Sequence, residues 1–507
     1  MGFVDAAGAP VIAMRGILAA LVLAAPLMAH VGSPDVYFDG AAGPYPMFVT
    51  VRPPKVIPGV ADIEIRTPSK DVESIRITPL PLTGEGSQFA PTPDAAKRSP
   101  QDPQFFTGSL WIMATGSWQV RVMATGSQGA GVLNVPVPAV ATRTRTMDFA
   151  LGAVLFVMMM VLVVGVVSIV GAGVREAQLE PGAEPPQKNR RRARVFMAIT
   201  AALVVAIVYL GNSWWTAEAK AYSNNLYRPL AATVRVDGST LTLSLNNTAN
   251  SVHRRFDDFM AERKVDDFIP DHGHLMHLYV IRWPEMDRVW HLHPETTSGG
   301  VFTQKLPAMP AGDYRLYGDV VHSSGFPETI VAEIKTQGIV GSPLAGDDAA
   351  GTGPAVAAGA PDTTVSDLGD GWKMIWDRGK APLKVDAPTL FQFHLEDAQG
   401  RRPTDMEFYM GMPGHAAFVK TDGSVFAHVH PSGSIAMPAL ALANPANNLM
   451  AGMTMSGMEM PGMKMGAMFQ SVSFPYGFPQ AGQYRVIVQV KRGGRIETGM
   501  FDANVAP

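Results

Sequence analysis

Two apolar stretches separated by a short basic loop constrain the fold of this chain more than any other feature. Residues 149–174 contain no charged side chain, and about 20 helical residues are enough to cross the hydrocarbon core of a bilayer. A second apolar stretch, residues 195–210, leads into Trp214 and Trp215, and tryptophan is enriched at membrane–water interfaces. We therefore predict a two-helix transmembrane hairpin with spans at 148–174 and 195–215.

The charge of the connecting loop indicates the orientation of this hairpin. Residues 175–194 include six basic side chains, and loops rich in Lys and Arg stay in the cytoplasm. The chain also starts with an apolar run, residues 16–25, behind Arg15, which is typical of a signal peptide. We expect a signal peptide at 1–29, although Leu27 makes the cleavage motif imperfect and an uncleaved anchor stays open. Both large portions would then lie on the periplasmic side of a bacterial inner membrane.

The composition excludes several classes of site. The chain has no cysteine and a formal net charge of -3. Disulfides and blue-copper sites, which need a thiolate, are therefore excluded, and no broad basic surface is available for nucleic acid. The sequence also lacks an HExxH helix, a phosphate-binding loop and a nucleophile elbow. We expect neither a nucleic-acid partner nor an enzyme.

A repeated order of motifs divides the rest of the chain. Segment 337–365 is rich in Gly, Ala and Pro and is predicted to be a flexible linker. Before it, residues 216–336 contain Gly273-His274, WHLHP and PAGDYRLYGDV; after it, residues 366–507 contain Gly414-His415, FAHVHP and QAGQYRVIVQV. Residues 30–140 show a fainter version without the histidines. Period-2 runs such as LTLSL predict strands, so we expect a mainly β fold of three immunoglobulin-like β-sandwich modules plus the transmembrane hairpin.

A methionine-rich insertion interrupts the last module. Residues 450–468 read MAGMT, MSGME, MPGMK and MGAM, and this spacing fits neither a helical nor a strand period. Thioethers are soft donors that need no deprotonation and favour Cu(I). The alternative is an adaptable apolar loop that fills a groove. The predicted Cu(I) ligands are Met450, Met453, Met455, Met458, Met460, Met463, Met465 and Met468.

The histidines form a second candidate ligand set, since eleven of the twelve follow the second apolar stretch. Residues two apart in a strand project from one face, so each His-x-His-Pro motif can present two imidazoles to one ion. Imidazoles suit Cu(II) or Zn(II), and nearby thioethers shift the preference towards copper. The alternative is a structural strand end with each imidazole hydrogen-bonded to the backbone. The predicted ligands are His272, His274, His277, His291, His293 and His322 in the first copy, and Met410, Met412, His415, His428 and His430 in the second.

His30 is a separate candidate. At a mature N-terminus its α-amine and ring can chelate one copper ion together, as in CopC-like carriers and polysaccharide monooxygenases. A partner histidine within the first module is missing from the sequence.

The motifs DHGHLMHLYVIR, VWHLHP, YMGMPGHA and DGSVFAHVHP resemble those of bacterial membrane proteins whose exported β-sandwich modules are related to FixH-like and YtkA-like domains. The methionine run is similar to the Mets motifs of copper-resistance proteins and copper transporters. The first resemblance implies a role in copper handling or oxidase assembly. The second implies Cu(I) binding through thioethers.

These observations predict a membrane-anchored periplasmic copper-binding protein that captures, buffers or delivers copper. Its expected partners are the lipid bilayer and another periplasmic or inner-membrane copper-handling protein. Two alternatives stay open. One is a copper- or zinc-dependent periplasmic enzyme, which would need an open coordination position beside a cleft. The other is a metal-independent scaffold or sensor for another membrane protein.

Overall fold

The structure, a computed structural model, describes residues 35–180, 182–246, 264–445 and 470–507. Strands hold 46% of the residues and helices 18%, so the prediction of a mainly β fold is confirmed. Within the described residues, the strands form six sheets that fall into three sequence blocks. We call these blocks module 1 (residues 35–142), module 2 (230–352) and module 3 (363–507). Their immunoglobulin-like identity stays a prediction.

Module 1 packs a five-stranded sheet of order β1-β2-β3-β7-β6 against a four-stranded sheet of order β5-β4-β8-β9. Its strands alternate as predicted; in β3, for example, Ala61, Ile63 and Ile65 are buried. A 3-10 helix spans Glu85–Gln88. The strands are β1 (Val36–Ala42), β2 (Tyr45–Arg52), β3 (Gly59–Arg66), β4 (Val72–Pro81), β5 (Asp94–Ala95), β6 (Lys97–Arg98), β7 (Phe105–Ile112), β8 (Gly116–Gly126) and β9 (Gly129–Ala139).

Two long apolar helices follow module 1. Helix α1 (Phe149–Glu176) begins where the Asp148 carboxylate accepts hydrogen bonds from the first backbone N–H groups, which would otherwise lack partners. Helix α2 (Gln187–Asn224) begins inside the basic loop and ends beyond the predicted span. Both helices are long and apolar enough to cross a membrane. The chain enters and leaves the pair at one end, where the backbone N–H of Tyr227 donates to the carbonyl of Ala141 at 2.8 Å.

Module 2 has sheets of order β10-β11-β15-β14 and β17-β16-β12-β13-β18. The last strand, β18, lies in the segment predicted to be a flexible linker and pairs with β13, so this part of the segment is ordered structure. Its small side chains fit the sheet edge, and Ala349 is buried. The strands are β10 (Ala231–Asp237), β11 (Thr240–Asn246), β12 (His277–Trp283), β13 (Arg288–Leu292), β14 (Glu295–Ser298), β15 (Val301–Lys305), β16 (Gly312–Val321), β17 (Pro327–Thr336) and β18 (Ala349–Thr352).

Module 3 has sheets of order β19-β20-β22-β26 and β21-β28-β27-β24-β25, with β23 paired to β27. A short helix, α3 (Met437–Ala443), follows the last histidine of the chain. The strands are β19 (Val365–Gly369), β20 (Trp372–Trp376), β21 (Leu383–Lys384), β22 (Thr389–Glu396), β23 (Met406–Glu407), β24 (His415–Lys420), β25 (Phe426–Val429), β26 (Val472–Tyr476), β27 (Gly482–Arg492) and β28 (Arg495–Ala506).

Modules 2 and 3 pack sheet against sheet through an apolar cluster of their own. Its centre is the stacked pair Tyr317 and Phe426, whose ring centroids are 4.5 Å apart. Because Tyr279 on β12 and Ala417 on β24 are buried in the same cluster, the starts of these two strands lie close together. Module 1 covers this junction, since α3 packs into its core through Met437 and Leu440.

Candidate metal centre

The strand register shows which residues of the two copies correspond. In module 2, Tyr279 on β12 pairs with His291 on β13. In module 3, Ala417 on β24 pairs with His428 on β25. Tyr279 and Ala417 are therefore equivalent, and so are His277 and His415, which precede them by two residues on the same strands. The sequence comparison, which aligned Gly273-His274 with Gly414-His415, was therefore wrong by three residues at this point.

Each of these strands is preceded by a tight turn of the same shape. Asp271 and His274 form a bridge across the first turn, and Tyr409 and Met412 form the same bridge across the second. The second residue of each turn has a positive φ, which is 50° at His272 and 51° at Met410. A glycine follows in both copies, as this left-handed backbone favours. Module 3 therefore carries methionine at the two positions where module 2 carries His272 and His274.

Eight imidazoles meet where the two turns and the two strand pairs come together. Neighbouring rings have centroids 4.0–6.4 Å apart, and they come from both copies of the repeat. We call this cluster the histidine centre; its members are His272, His274, His277, His291, His293, His415, His428 and His430.

Two triplets within the histidine centre have the geometry of metal sites. Group A consists of His272, His415 and His430, and group B of His277, His291 and His293. In each group the candidate ligand atoms lie within 4.8 Å of one another. Group A joins a turn of module 2 to the start of β24 and to the residue that follows β25 in module 3, whereas group B lies wholly in module 2.

The outer ring nitrogens are held by hydrogen-bond partners, which fixes the rings. The Nδ1 atom of His291 lies 2.8 Å from the Gln489 side-chain oxygen, and that of His430 lies 3.1 Å from the carbonyl oxygen of Ile435. The Nδ1 atom of His293 lies 3.1 Å from Asp348. Metal-bound histidines are oriented in this way by their second nitrogen.

The two modules support each other's histidines in a reciprocal manner. Gln489, which pairs with His415 on the neighbouring strand, contacts His291 of module 2. Asp319, which pairs with His277, has a carboxylate oxygen 3.4 Å from Nδ1 of His428 in module 3. Asp319 and Gln489 hence occupy equivalent positions and act across the module boundary.

Several other ring nitrogens lack partners, whereas Nδ1 of His277 lies 3.1 Å from Nε2 of His291 and Nε2 of His277 lies 3.1 Å from the carbonyl oxygen of Asp271. Nε2 of His272, His293, His428 and His430, and both ring nitrogens of His415, are buried and have no hydrogen-bond partner among the described residues. Leaving a buried polar atom unpaired costs roughly 1–3 kcal/mol. A cluster of such atoms, all of one donor type and facing inwards, is the arrangement that a bound cation satisfies.

Burial lowers the pKa of several of these imidazoles and so keeps them neutral. It is the main reason that the pKa of His272 is lowered to about 4. Burial, followed by repulsion from neighbouring histidines, also puts the pKa values of His277, His291, His415 and His430 well below the usual range. A neutral imidazole has a free lone pair for a metal ion. The centre is therefore in its ligating form at neutral pH.

Four carboxylates surround the histidine centre. Asp271 lies 3.5 Å from His272, Asp319 lies 3.4 Å from His428, Asp347 lies 3.3 Å from His274, and Asp348 lies 3.1 Å from His293. Asp271 is itself buried, and this burial raises its pKa to about 7 despite the attraction of His428. Burial alone therefore disfavours the ionised form of this carboxyl, and a cation bound by the imidazoles would stabilise it.

A cavity of about 140 Å³ opens beside the histidine centre, at the junction of the three modules. Its wall includes Trp118 of module 1 and Phe326 of module 2, and it reaches His277, His428 and His430. Tyr227, three residues after α2, also lines it. One water needs roughly 10–15 Å³ of such space, so the cavity has room for several waters or one small molecule.

Three other predicted ligands lie outside the histidine centre. Both ring nitrogens of His322 contact carboxylates, Nδ1 at 2.7 Å from Asp267 and Nε2 at 3.0 Å from Glu328, so neither lone pair faces the centre. Met410 packs with Ala349 and Tyr409. Met412 is buried in the core cluster of module 1. Their role as ligands stays a prediction.

The methionine run, residues 450–468, and His30 lie outside the described residues. The proposed Cu(I) site at the run and the N-terminal chelate at His30 therefore stay predictions as well.

Sequence reasoning missed the residues that hold the histidines in place. Asp347 and Asp348 stand in the segment predicted to be a linker, and Gln489 stands in an ordinary alternating strand. Tyr409 was also missed; its hydroxyl donates to the carbonyl of Asp347 at 2.8 Å and lies 3.4 Å from His291. The adjacent acidic pair Asp347-Asp348, in a segment with one other charged residue, Asp362, was the available signal.

Comparison with known families agrees with this division of the chain. Residues 233–338 and 364–507 match a family described as a domain of unknown function, DUF8832. The matched stretches make up just under half of the chain and coincide with modules 2 and 3, which contribute all eight rings. The resemblance to FixH-like and YtkA-like domains stays a prediction. No curated protein matches the chain.

Solved structures give only remote similarities. A tetra-tandem repeat from the extending region of a large adhesion protein is 9% identical, with a TM-score of 0.15, over 89% of this chain and 71% of that one. Salmonella alpha-2-macroglobulin is 8% identical, with a TM-score of 0.19, over 94% of this chain and 23% of that one. The ICAM-5 D1–D4 ectodomain is 9% identical, with a TM-score of 0.14, over 90% and 77%. At these scores the similarity does not extend to a shared overall arrangement.

Proposed function

We propose that this protein is a membrane-anchored copper-binding protein that captures, buffers or delivers copper outside the cytoplasm. One observation carries the proposal: eight imidazoles from two copies of a repeat converge, and ring nitrogens of five of them are buried without a hydrogen-bond partner among the described residues. A structural role would account for His322, which has both nitrogens satisfied by carboxylates, and within the centre for His277 and His291, but it leaves those five unexplained. Two groups of three imidazoles suggest two bound ions.

The donor set favours copper over other divalent metals. Nitrogen-rich sites suit Cu(II) and Zn(II), whereas thioethers select Cu(I). Met410 occupies the turn position equivalent to His272, and the run at 450–468 supplies eight further thioethers. A chain that offers both donor types can hold copper in both oxidation states, a property that zinc does not require.

The location of the protein follows from its two apolar helices. The six basic residues between them favour a cytoplasmic loop, which would put all three modules on the periplasmic side of a bacterial inner membrane. A copper-handling protein there needs a donor or acceptor, so we expect a second periplasmic or inner-membrane protein to exchange copper with it.

Copper titration of the full chain in detergent micelles tests this proposal. Cu(II) and Cu(I) are added in separate titrations, each in competition with a chromophoric chelator. The unaltered protein should bind two Cu(II) ions, and His415→Ala with His430→Ala should lose one of them. His291→Ala with His293→Ala should lose the other. Serine at the eight methionines of the run should remove Cu(I) ions beyond those that the histidine centre holds.

His394→Ala is the matched control for these variants. His394 is also largely buried and lies 2.7 Å from a carboxylate, that of Asp377, but it is outside the histidine centre. Its loss should leave the copper count unchanged. If the unaltered chain bound no copper, or if all variants bound it equally, the histidines would serve the fold alone.

A further inference from the structure

Groups A and B are parts of one continuous cluster. Within the groups, the ring centroids of His277 and His291 are 5.3 Å apart and those of His415 and His430 are 5.2 Å apart. Between the groups, the separations of His272–His277 and His277–His415 are only slightly longer, at 6.2 and 6.4 Å. Ions held by two such neighbouring triplets would be close enough to act on one small molecule.

His428 stands between the two groups. Its ring centroid is 5.2 Å from that of His277 and 5.5 Å from that of His415. Its Nε2 is buried with no hydrogen-bond partner among the described residues. Neighbouring imidazoles therefore lead from His277 of group B through His428 to His415 of group A.

The cavity reaches both groups at once. Its wall contains His277 of group B, His430 of group A and the intervening His428. Three protein ligands leave a coordination position free for an outside molecule, which is the arrangement of reactive rather than purely structural metal sites. A site that only stored copper would not need a space of this size against both groups.

We propose that the histidine centre binds two copper ions as a pair and that this pair reacts with dioxygen admitted through the cavity, so that bound Cu(I) is oxidised to Cu(II). The inference rests on the copper binding proposed above and adds an activity to it. Imidazole nitrogens stabilise Cu(II) relative to Cu(I) more than thioethers do. Cu(I) that moves from thioethers to the histidine centre therefore becomes easier to oxidise.

The reaction is balanced with two ions and one dioxygen. Each Cu(I) gives up one electron and becomes Cu(II). The dioxygen accepts both electrons and takes up two protons from solvent, which yields one hydrogen peroxide. The reductant is the copper itself, and the paired arrangement matters because one Cu(I) supplies only one of the two electrons.

An anaerobic loading experiment tests the inference directly. The full chain in detergent, with serine at the eight methionines of the run, is loaded with two equivalents of Cu(I) and then mixed with oxygenated buffer. We expect one dioxygen to be consumed and one hydrogen peroxide to be formed per two Cu(I). The Cu(II) produced should give an electron paramagnetic resonance signal, unless magnetic coupling between the two ions removes that signal. Carbon monoxide added before oxygen should bind the open position and delay the reaction.

Variants separate this activity from copper binding. The double variant His415→Ala, His430→Ala should hold one ion. Its oxidation should slow by about tenfold or more, because no neighbouring Cu(I) supplies the second electron that forms hydrogen peroxide. Ala436→Phe fills the cavity wall and should keep two copper ions while slowing oxidation by a similar factor. Ala398→Phe, at an exposed turn, is the control and should react at the original rate.

The outcomes distinguish the two proposals. If the chain binds two Cu(I) but oxidises them no faster than the one-ion variant does, the inference is wrong and the copper-binding function stands. If the chain binds no copper at the histidine centre, both fail. Unchanged oxidation in a folded, copper-loaded Ala436→Phe variant that still binds carbon monoxide would overturn the role of the cavity.

Discussion

The turns Asp271–His274 and Tyr409–Met412 share one backbone and differ in their donors. Both close the same bridge and both contain a residue of positive φ followed by glycine. In module 2 the turn presents imidazoles, and His272 reaches across to His415 and His430 of the other module. In module 3 it presents thioethers. The repeat thus fixes the backbone position of the side chain, and under the proposed function the residue at that position would decide which oxidation state of copper is favoured.

Removal of copper should have the largest effect on this pair of modules. A ligand present at 1,000 times its Kd stabilises the folded state by about 4 kcal/mol per site. Since group A joins the two modules, its ion should couple their unfolding. Calorimetry of the full chain with copper and with a chelator should show a large fall in melting temperature. If the melting temperature did not change when copper was removed, no copper ion would link modules 2 and 3.

Acidification of the copper-free protein should have the second-largest effect on folding stability. The pKa of His272 is lowered to about 4 in the folded state, against about 6.5 when unfolded. The unfolded chain therefore binds more protons between these values. Stability should be complete above pH 6.5 and should fall as the pH drops towards 4, by about 3 kcal/mol for this residue alone. Denaturant unfolding at a series of pH values measures this loss.

The contribution of His322 to stability should depend on pH in the opposite direction, and the same measurement detects it. Burial lowers its pKa, but hydrogen bonds to Glu328 and Asp267 outweigh this, so the net pKa is raised. Its contribution should be present below the unfolded pKa and should be lost as the pH rises. His322→Gln should therefore weaken the protein most at low pH. An identical pH profile for His322→Gln and His272→Gln would contradict both assignments.

Removal of the reciprocal supports should weaken copper binding by about 10- to 100-fold. Gln489→Leu removes the acceptor that orients His291, and Asp319→Asn alters the carboxylate beside His428. Each change is made in one module, and each should reduce affinity at a histidine of the other. Chelator competition measures this effect. Gln119→Leu, a buried substitution in module 1, is the control and should leave affinity unchanged.

Exchange of the donors in the two turns should have the smallest effect. His272→Met makes the first turn resemble the second, and Met410→His does the reverse. We expect the ratio of Cu(I) to Cu(II) affinity to rise by about tenfold in the first variant and to fall in the second. Titration in both oxidation states gives the ratio. A ratio unaffected by Met410→His would show that Met410 is a packing residue only.

Much of the fold was accessible from sequence because its signals are local. Period-2 runs predicted the strands, and the apolar spans predicted both long helices. The helix ends were less accurate, since α2 extends from Gln187 to Asn224. Charged residues near an interface can continue a helix after its apolar part has ended, so composition alone does not mark these boundaries.

The histidines were predicted as two separate sets, and the structure shows one cluster. Period-2 spacing indicates that His291 and His293 share a face, but it does not show that module 3 packs on that face. That contact depends on the apolar cluster around Tyr317 and Phe426, whose members look like ordinary core residues in the sequence. The three-residue misalignment had the same origin, because a turn register is set by backbone pairing and not by the Gly-His dipeptide.

The segment that leads from β17 into β18, at the end of module 2, gives this chain something that a pair of identical subunits would not have. Two copies of one module in a homodimer would carry the same side chains on both sides of their axis. Here this segment contributes Asp347 and Asp348 beside His274 and His293, and module 2 alone carries it. Covalent fusion of the repeat thus permits one half of a duplicated ligand set to differ from the other, so that groups A and B are two different candidate metal positions.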